Sequence, residues 1–414
     1  MSSLAHPTIR SRPLKMCVFG LTAITAASTT FFLYYLYFYM RDRFGFHQTQ
    51  NLLLASGLGF LYSGSSFVAG RVAQRFGNFF ALRFGMATMV LTLTAASFMT
   101  RVWPLLLTIA IMNFGMCHCW PALEALMSEG EAPARLQSLV GLYNVSWAAA
   151  AGLAYFTGGA VLQGLGSRSL FFLPVTAFIG VLIFLAWFEK QVAGQPPPSP
   201  ELAQTVARVL AEDRRSPVPA TLFLRMGWLV NPMAYLTINT VVSTIPSLAE
   251  RFNFRPMMAG FVCSAWMFAR AAAFLLLRLW PRWHYRFRFL GFAFVAMILS
   301  FAALLIIPNL SALVLSQLVW GFCLGLMYYS SLFYSMDVGQ TKGEHGGLHE
   351  AALGLGSGSG PLIAALSLSL FPGWRGSAPV GVCLLLVAGF GVLMRMRFRG
   401  PGPNASGKSV LTAP

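Results

Sequence analysis

Apolar runs of about 20 residues recur from one end of the chain to the other, and this repetition restricts the possible folds more than any single motif does. Twelve such segments can be placed, near 16–40, 52–70, 79–99, 103–126, 138–163 and 169–188 in the first half, and near 220–245, 257–279, 287–307, 310–335, 347–371 and 377–394 in the second. Hydrocarbon offers a backbone amide no partner, so an uninterrupted apolar run satisfies its own hydrogen bonds there only as a helix. Strands of a membrane barrel would be shorter and would alternate apolar with polar residues. Hydrophobic residues are 57% of the chain and charged ones 10%, a balance suited to lipid rather than water. An all-α integral membrane protein with twelve transmembrane helices is therefore predicted.

The first apolar run is too long for the core of a cleavable signal and is expected to stay as an anchor. Basic residues separate between alternate loops: twenty-one fall on the side of the amino terminus, seven on the other, and Arg270 alone lies inside an apolar segment. Such asymmetry predicts that both termini are cytoplasmic, in a multi-pass protein of the plasma or bacterial inner membrane. The same bias, together with anionic lipid headgroups, accounts for the net charge of +17 without nucleic acid as a partner. The polar stretch 190–219, which contains Pro196-Pro197-Pro198, reads as a linker on the cytoplasmic side. It divides an amino-terminal unit, 1–189, from a carboxy-terminal unit, 220–399, and 400–414 reads as a disordered tail.

Two motifs invite a reading that the surrounding chain does not support. Gly402-Pro403-Asn404-Ala405-Ser406-Gly407-Lys408-Ser409 matches a phosphate-binding loop, but no strand precedes it and five residues follow it, so no nucleotide is expected. Cys117-His118-Cys119 suggests a metal, yet residues two apart on a helix point about 200° away from each other. All six cysteines lie within apolar segments and read as buried small side chains. Neither a metal nor any other cofactor is expected, protons excepted as a coupling ion.

A shift of 206 residues carries Gly141-Leu142-Tyr143-Asn144 onto Gly347-Leu348-His349-Glu350, Gly85 onto Gly291, Gly115 onto Gly321, Cys117 onto Cys323 and Gly152 onto Gly358. One six-helix unit is thus written twice, the plan of two pseudo-symmetric bundles with a binding site at their shared midplane. Between the second and third segments stands Gly70-Arg71-Val72-Ala73-Gln74-Arg75-Phe76-Gly77-Asn78. It resembles the loop signature of the major facilitator superfamily in Gly70, Arg75 and Gly77, while Gln74 replaces the usual aspartate and Asn78 a basic residue. In the eleventh segment Gly356, Gly360 and Pro361 resemble that superfamily's Gly-Pro element, with Ala364 and Ala365 in place of its last glycines.

The resemblance covers essentially the whole chain and implies a transporter that works by alternating access. It further implies a cytoplasmic latch in which the loop of Arg71, Gln74 and Arg75 meets the start of the eleventh helix, with segments 1, 4, 7 and 10 around the cavity and 2, 5, 8 and 11 between the halves. Ionisable groups inside a bilayer are costly, so they point to the pathway. Arg270 lies eight residues from Arg278, about 12 Å along a helix from the boundary, and is expected to face protein or water. Its alternative is a structural salt bridge. Glu350, His349 and Glu124 are candidates for proton binding, with first-turn or interfacial charges as the alternative, and His118 could face a polar cavity.

Tyr34, Tyr35, Asn113, Asn231, Tyr235, Asn239, Tyr328 and Tyr329 fall on the implied cavity helices, and Asn144 and Trp147 on the fifth segment. Tyrosine supplies a ring to stack and a hydroxyl to bond, which suits a small organic solute. Lipid or core packing would use the same residues, and Tyr37 and Tyr39 read as interfacial belt residues. A proton-coupled secondary transporter is the expected function. An uncoupled facilitator of the same fold is the nearer alternative; a membrane-embedded sensor or enzyme is the more distant one, because it would require clustered His, Asp or Ser at one depth.

Overall fold

A computed structural model describes residues 9, 11–128, 131, 133–195, 219–338, 342–374 and 376–399. Among them the chain forms helices and no strand. The first half contains α1 (Arg12–Phe44), α2 (Gln48–Phe76), α3 (Asn78–Ala96), α4 (Val102–Cys117), α5 (Cys119–Ser128), α6 (Pro133–Leu165) and α7 (Ser169–Ala193). The second contains α8 (Pro219–Arg251), α9 (Pro256–Cys263), α10 (Ala265–Leu279), α11 (Phe287–Ile306), α12 (Leu310–Val338), α13 (Lys342–Leu370) and α14 (Ser377–Arg399). Most helices run several residues past the apolar segments, because a helix satisfies its backbone beyond the hydrocarbon as well as within it. Accordingly α7 continues through the first residues assigned to the linker; 196–218 and the tail 400–414, with its phosphate-loop match, lie outside the described residues.

Two predicted spans are interrupted. The fourth breaks at His118 between α4 and α5, where Pro121 has no N–H to return to the carbonyl of Cys117 and its ring crowds that carbonyl. The eighth breaks at Ser264, whose carbonyl accepts from Met267 in a tighter turn. If each pair counts as one span, eleven described helices are long and apolar enough to cross a bilayer. The twelfth span, α8, falls short because it carries Asn231, Thr237, Thr240, Ser243 and Thr244, all buried against other helices and hidden from lipid. Leu91, Trp103, Phe292 and Leu384 are instead exposed on the outside, an apolar girdle that water would not tolerate.

In lipid the apolar effect does not draw helices together, so the seam between the halves needs close backbone approach. Glycine provides it. A Cβ at Gly59 of α2 would overlap the backbone of Gly358 in α13, and one at Gly354 would overlap the backbone of Ser63. On the opposite side of the seam Gly159 of α6 lies against Pro256 of α9, and Gly152 against Met267 and Phe268. The repeat-related pair Gly152 and Gly358 thus occupies the two matching seams. Gly356 and Gly360 face the other way, onto the carbonyls of Pro232 and Leu236 in α8, so the Gly-Pro element packs α13 within its own half.

The loop motif ends α2 at Gly77, which adopts φ +92° and lets α3 start at once. Gly70 is buried in the last turns of α2, whereas Arg71 and Arg75 are exposed there. The side chains at 338–348, the expected counterpart of the latch, lie outside the described residues. Contacts cross the seam at both ends of the bundle. Arg278 donates to Ser138 at 3.3 Å on one face, and Arg41 pairs with Glu250 at 3.2 Å on the other.

The seam yields a direct test. Gly59→Ala is expected to destabilise by about 1–3 kcal/mol through forced separation of α2 and α13. Gly57→Ala, two residues away with open space at its Cβ, is expected to be neutral or slightly stabilising. Thermal melting in detergent checks both, and equal melting of the two variants would exclude close approach at this seam.

Candidate functional site

The seam encloses a cavity of about 180 Å³ at the middle of the bundle. α1 contributes Thr30, Tyr34 and Tyr37, three to four residues apart and so on one helical face. α2 adds Gly59 and Tyr62, α4 and α5 add Asn113, Met116 and Trp120, and α6 adds Trp147. From the second half come Tyr235 and Asn239 of α8, Arg270 of α10, Tyr328 of α12, and Glu350 and Ser357 of α13. Both halves therefore contribute to the wall, and among the described residues the charged ones on it are Arg270 and Glu350.

Arg270 is 2% exposed, and among the described residues no carboxylate stands within 4.0 Å of it. The salt-bridge alternative is thereby excluded among those residues. Its guanidinium carbon lies 4.7 Å from the ring centre of Trp147, 4.9 Å from Tyr328, 5.4 Å from Tyr235 and 5.6 Å from Phe274. One terminal nitrogen reaches the Tyr235 hydroxyl at 3.4 Å, and Nε has no partner. Each ring contact contributes roughly 0.5–2 kcal/mol. A desolvated ion costs several kcal/mol, so the rings offset the charge without saturating its N–H groups.

Glu350 and Glu124 form the second polar centre. Glu350, 4% exposed, accepts a hydrogen bond from Tyr62 across the seam. Glu124, 1% exposed on α5, has no well-formed bond at either carboxylate oxygen, although the Tyr328 hydroxyl lies beside it. His349 pairs through Nδ1 with Ser331 at 3.2 Å, and its Nε2 is unpartnered. One ligand atom from each of Glu124, His349 and Glu350 lies within 4.8 Å of the others. Two carboxylates and an imidazole so placed can share protons or hold a cation. Glu124 is separated from the adjacent His349 and Glu350 by more than 220 residues of sequence, and the fold brings them together from both halves.

Several other candidates lie away from the cavity. Tyr35 sits on the opposite face of α1 from Tyr37, donates to the carbonyl of Tyr155 at 2.5 Å and fills the crossing beside Gly158 and Gly260. Tyr329 points toward Gly141 and the rings of Trp283 and Phe274, because it is one residue, or about 100°, around α12 from Tyr328. His118 meets Phe84 and Phe114 edge to face and bonds the Phe114 carbonyl at 2.9 Å, so it faces no polar cavity. Cys117 and Cys119 turn to carbonyls on different sides, and the three residues do not converge. Asn144 accepts from the Trp147 indole at 3.2 Å and thereby steadies that wall without lining it. Asn231 is buried one turn from Tyr235 with no partner at its amide atoms.

Tyr37 corrects the sequence reading in the other direction: it is 4% exposed and lines the cavity instead of belonging to an interfacial belt. Its spacing of three residues from Tyr34 carried that information. Tyr39, half-buried against Phe44 and Phe171, is packed among rings as well. Tyr62, Trp120 and Ser357 also line the cavity, and of these Tyr62 carries a sequence signal, its place in the phase of Ala55, Leu58 and Gly59.

A carboxylate kept without a bond in the interior opposes stability. Glu124→Gln preserves the shape and removes the charge, and is expected to raise stability by about 1–3 kcal/mol while impairing function. Melting of the variant beside the parent protein reads the sign, and a lowered melting temperature would mean that the carboxylate is a structural partner.

The profile of the Major Facilitator Superfamily matches residues 18–346. No curated protein matches the chain. Among solved structures, the human organic anion transporter MFSD10 (TETRAN) aligns with a TM-score of 0.68 at 13% identity, over 92% of this chain and 99% of that one. The nucleoside transporter NupG aligns with a TM-score of 0.65 at 16% identity, over 93% and 99%. At such identities these likenesses establish the fold alone. The profile match spans most of the sequence, and the chain belongs to the Major Facilitator Superfamily.

Proposed function

We propose that this protein is a secondary transporter that moves a small organic solute across a cell membrane by alternating access, with proton movement as its driving force. The cavity on the seam between the halves carries the reading, since a solute bound there would touch both. The basic-residue asymmetry supports an orientation with both termini in the cytoplasm. The two similar structures are, by their names, carriers of organic anions and of nucleosides, which favours an organic solute here.

Alternating access requires contacts that can be made and broken at each end. Arg278 with Ser138 and Arg41 with Glu250 are of this kind, because both cross the seam and both are partly exposed. Arg71, Gln74 and Arg75 would act beside the first pair on the same face. Coupling falls to Glu124 and Glu350, which approach each other from opposite halves. Two like charges repel strongly in a water-poor interior. A proton held between them favours the closed seam, and its release favours parting of α5 from α13. His349 would stand beside that pair, and Tyr34, Asn113, Trp147, Tyr235, Asn239 and Tyr328 would shape the solute site.

Flux into proteoliposomes separates this reading from an uncoupled facilitator. Imposing a pH gradient is expected to accumulate solute above equilibrium, and Glu350→Gln is expected to abolish accumulation while exchange of solute for solute persists. Equal flux with and without the gradient would leave a facilitator.

A further inference from the structure

Arg270 carries N–H groups that the protein itself does not use. It is buried at 2% exposure, its Nε is unpartnered, and its single side-chain bond, to the Tyr235 hydroxyl, is long at 3.4 Å. Among the described residues it has no carboxylate counter-ion. The rings of Trp147 and Tyr328 crowd the guanidinium at 4.7 and 4.9 Å. Rings that stack on a guanidinium occupy its faces, and its donors radiate in its plane. A ligand then meets it edge-on, and the acceptor that fits a planar fork of donors is a pair of oxygens held in one plane, as in a carboxylate.

Size and wall chemistry limit the remainder of the ligand. A dry cavity of roughly 150 Å³ accommodates one benzene ring. At about 180 Å³ this cavity has room for a single ring with one small polar substituent. Tyr34 and Tyr235 supply ring faces and edges for stacking. The amide nitrogens of Asn113 and Asn239 are already committed, to the Leu58 carbonyl at 2.8 Å and the Ser357 hydroxyl at 2.9 Å. Among the described residues of the wall Arg270 is the one cationic donor.

We propose that the solute is a small aromatic carboxylate, one ring in the aromatic part of the cavity with its carboxylate edge-on to Arg270. This rests on the reading of the cavity as the transport site. It adds a division of labour: Arg270 compensates the solute, which leaves Glu350 and Glu124 for the coupling ion.

The test uses the purified full-length protein in nanodiscs and four probes: benzoate, benzamide, benzylamine and propionate. Benzoate is expected to raise the melting temperature, and benzamide, which keeps the ring and loses the charge, to bind at least about tenfold more weakly. Propionate, which keeps the charge and loses the ring, is expected to be weak as well. Arg270→Gln should erase the preference for benzoate over benzamide, and Arg270→Lys should retain a reduced preference. If those variants do not fold, the four-probe comparison on the parent protein decides alone. Equal binding of benzoate and benzamide, preference for benzylamine, or no response to benzoate at millimolar concentration would overturn the proposal. Flux distinguishes the two levels: transport of neutral or cationic solutes without benzoate binding defeats the aromatic anion and spares the transporter. Benzoate bound through Arg270 but never carried across the membrane defeats the transporter and spares the site.

Discussion

Close approach of backbones at the seam is the constraint on which the remaining structure depends. Two helices in lipid gain nothing from hiding apolar surface, since the tails around them are equally apolar, and only tight contact distinguishes association from separation. Gly59, Gly354 and Gly358 bring α2 and α13 so near that side chains on either flank must interlock. Tyr62 reaches Glu350, and Ser63 reaches the carbonyl of Ala351, because of that nearness. If the halves pivot as proposed, the same glycine face that holds them together offers few side-chain knobs to obstruct them. A seam of Leu and Phe knobs would have to be dismantled for each excursion, whereas backbone contacts between small residues can slide with little repacking.

Within this frame the two polar centres are unequal by design of their surroundings. Arg270 is wrapped by rings that tolerate a cation and leave its Nε without a partner. Glu124 is surrounded by side chains that leave both oxygens without a firm bond. Neither arrangement maximises stability. A Met at 270 or a Gln at 124 would spare the protein the desolvation of an ion, and charge at both places fits the binding and coupling roles proposed above.

How far the sequence discloses this depends on the kind of information. Helix number followed from segment length and hydropathy, because lipid imposes that pattern on every span. The exception, α8, was placed by its apolar length although Thr237, Thr240, Ser243 and Thr244 make it the most polar span; those hydroxyls bond back to carbonyls of their own helix or face inward. Arg270 stood out because one charge inside an apolar run has few explanations. The phase of a helix was harder to read. Tyr34 and Tyr37 share a face and line the cavity, whereas Tyr35 and Tyr329 do not, and a rotation of about 100° per residue decides between them. Choosing the phase needs a fixed point, and neighbouring tyrosines offered two. The Glu124, His349 and Glu350 cluster was beyond reach, since it forms only when α5 and α13 meet. The repeat gave partial guidance: Gly152 and Gly358 lie in matching seams, but Gly85 packs on α4 while Gly291 meets only a ring of its own helix.

The symmetry of the scaffold and the asymmetry of its chemistry together define how a solute could act. Arg270, Glu350 and His349 come from the second half, while the first contributes Glu124 and ring or amide groups such as Tyr34, Asn113 and Trp147. A solute held by charge to one half and by stacking to the other is sensitive to their relative position, since a shift of α1 past α10 alters the stacked pair Tyr34 and Trp266 at 6.3 Å as well as the solute's own contacts. A ligand can shift a conformational equilibrium only by the difference in its affinity for the two states. That difference is largest where the ligand spans the boundary between the two states' moving parts, and a cavity lined by both halves is where the proposed alternation would meet that condition.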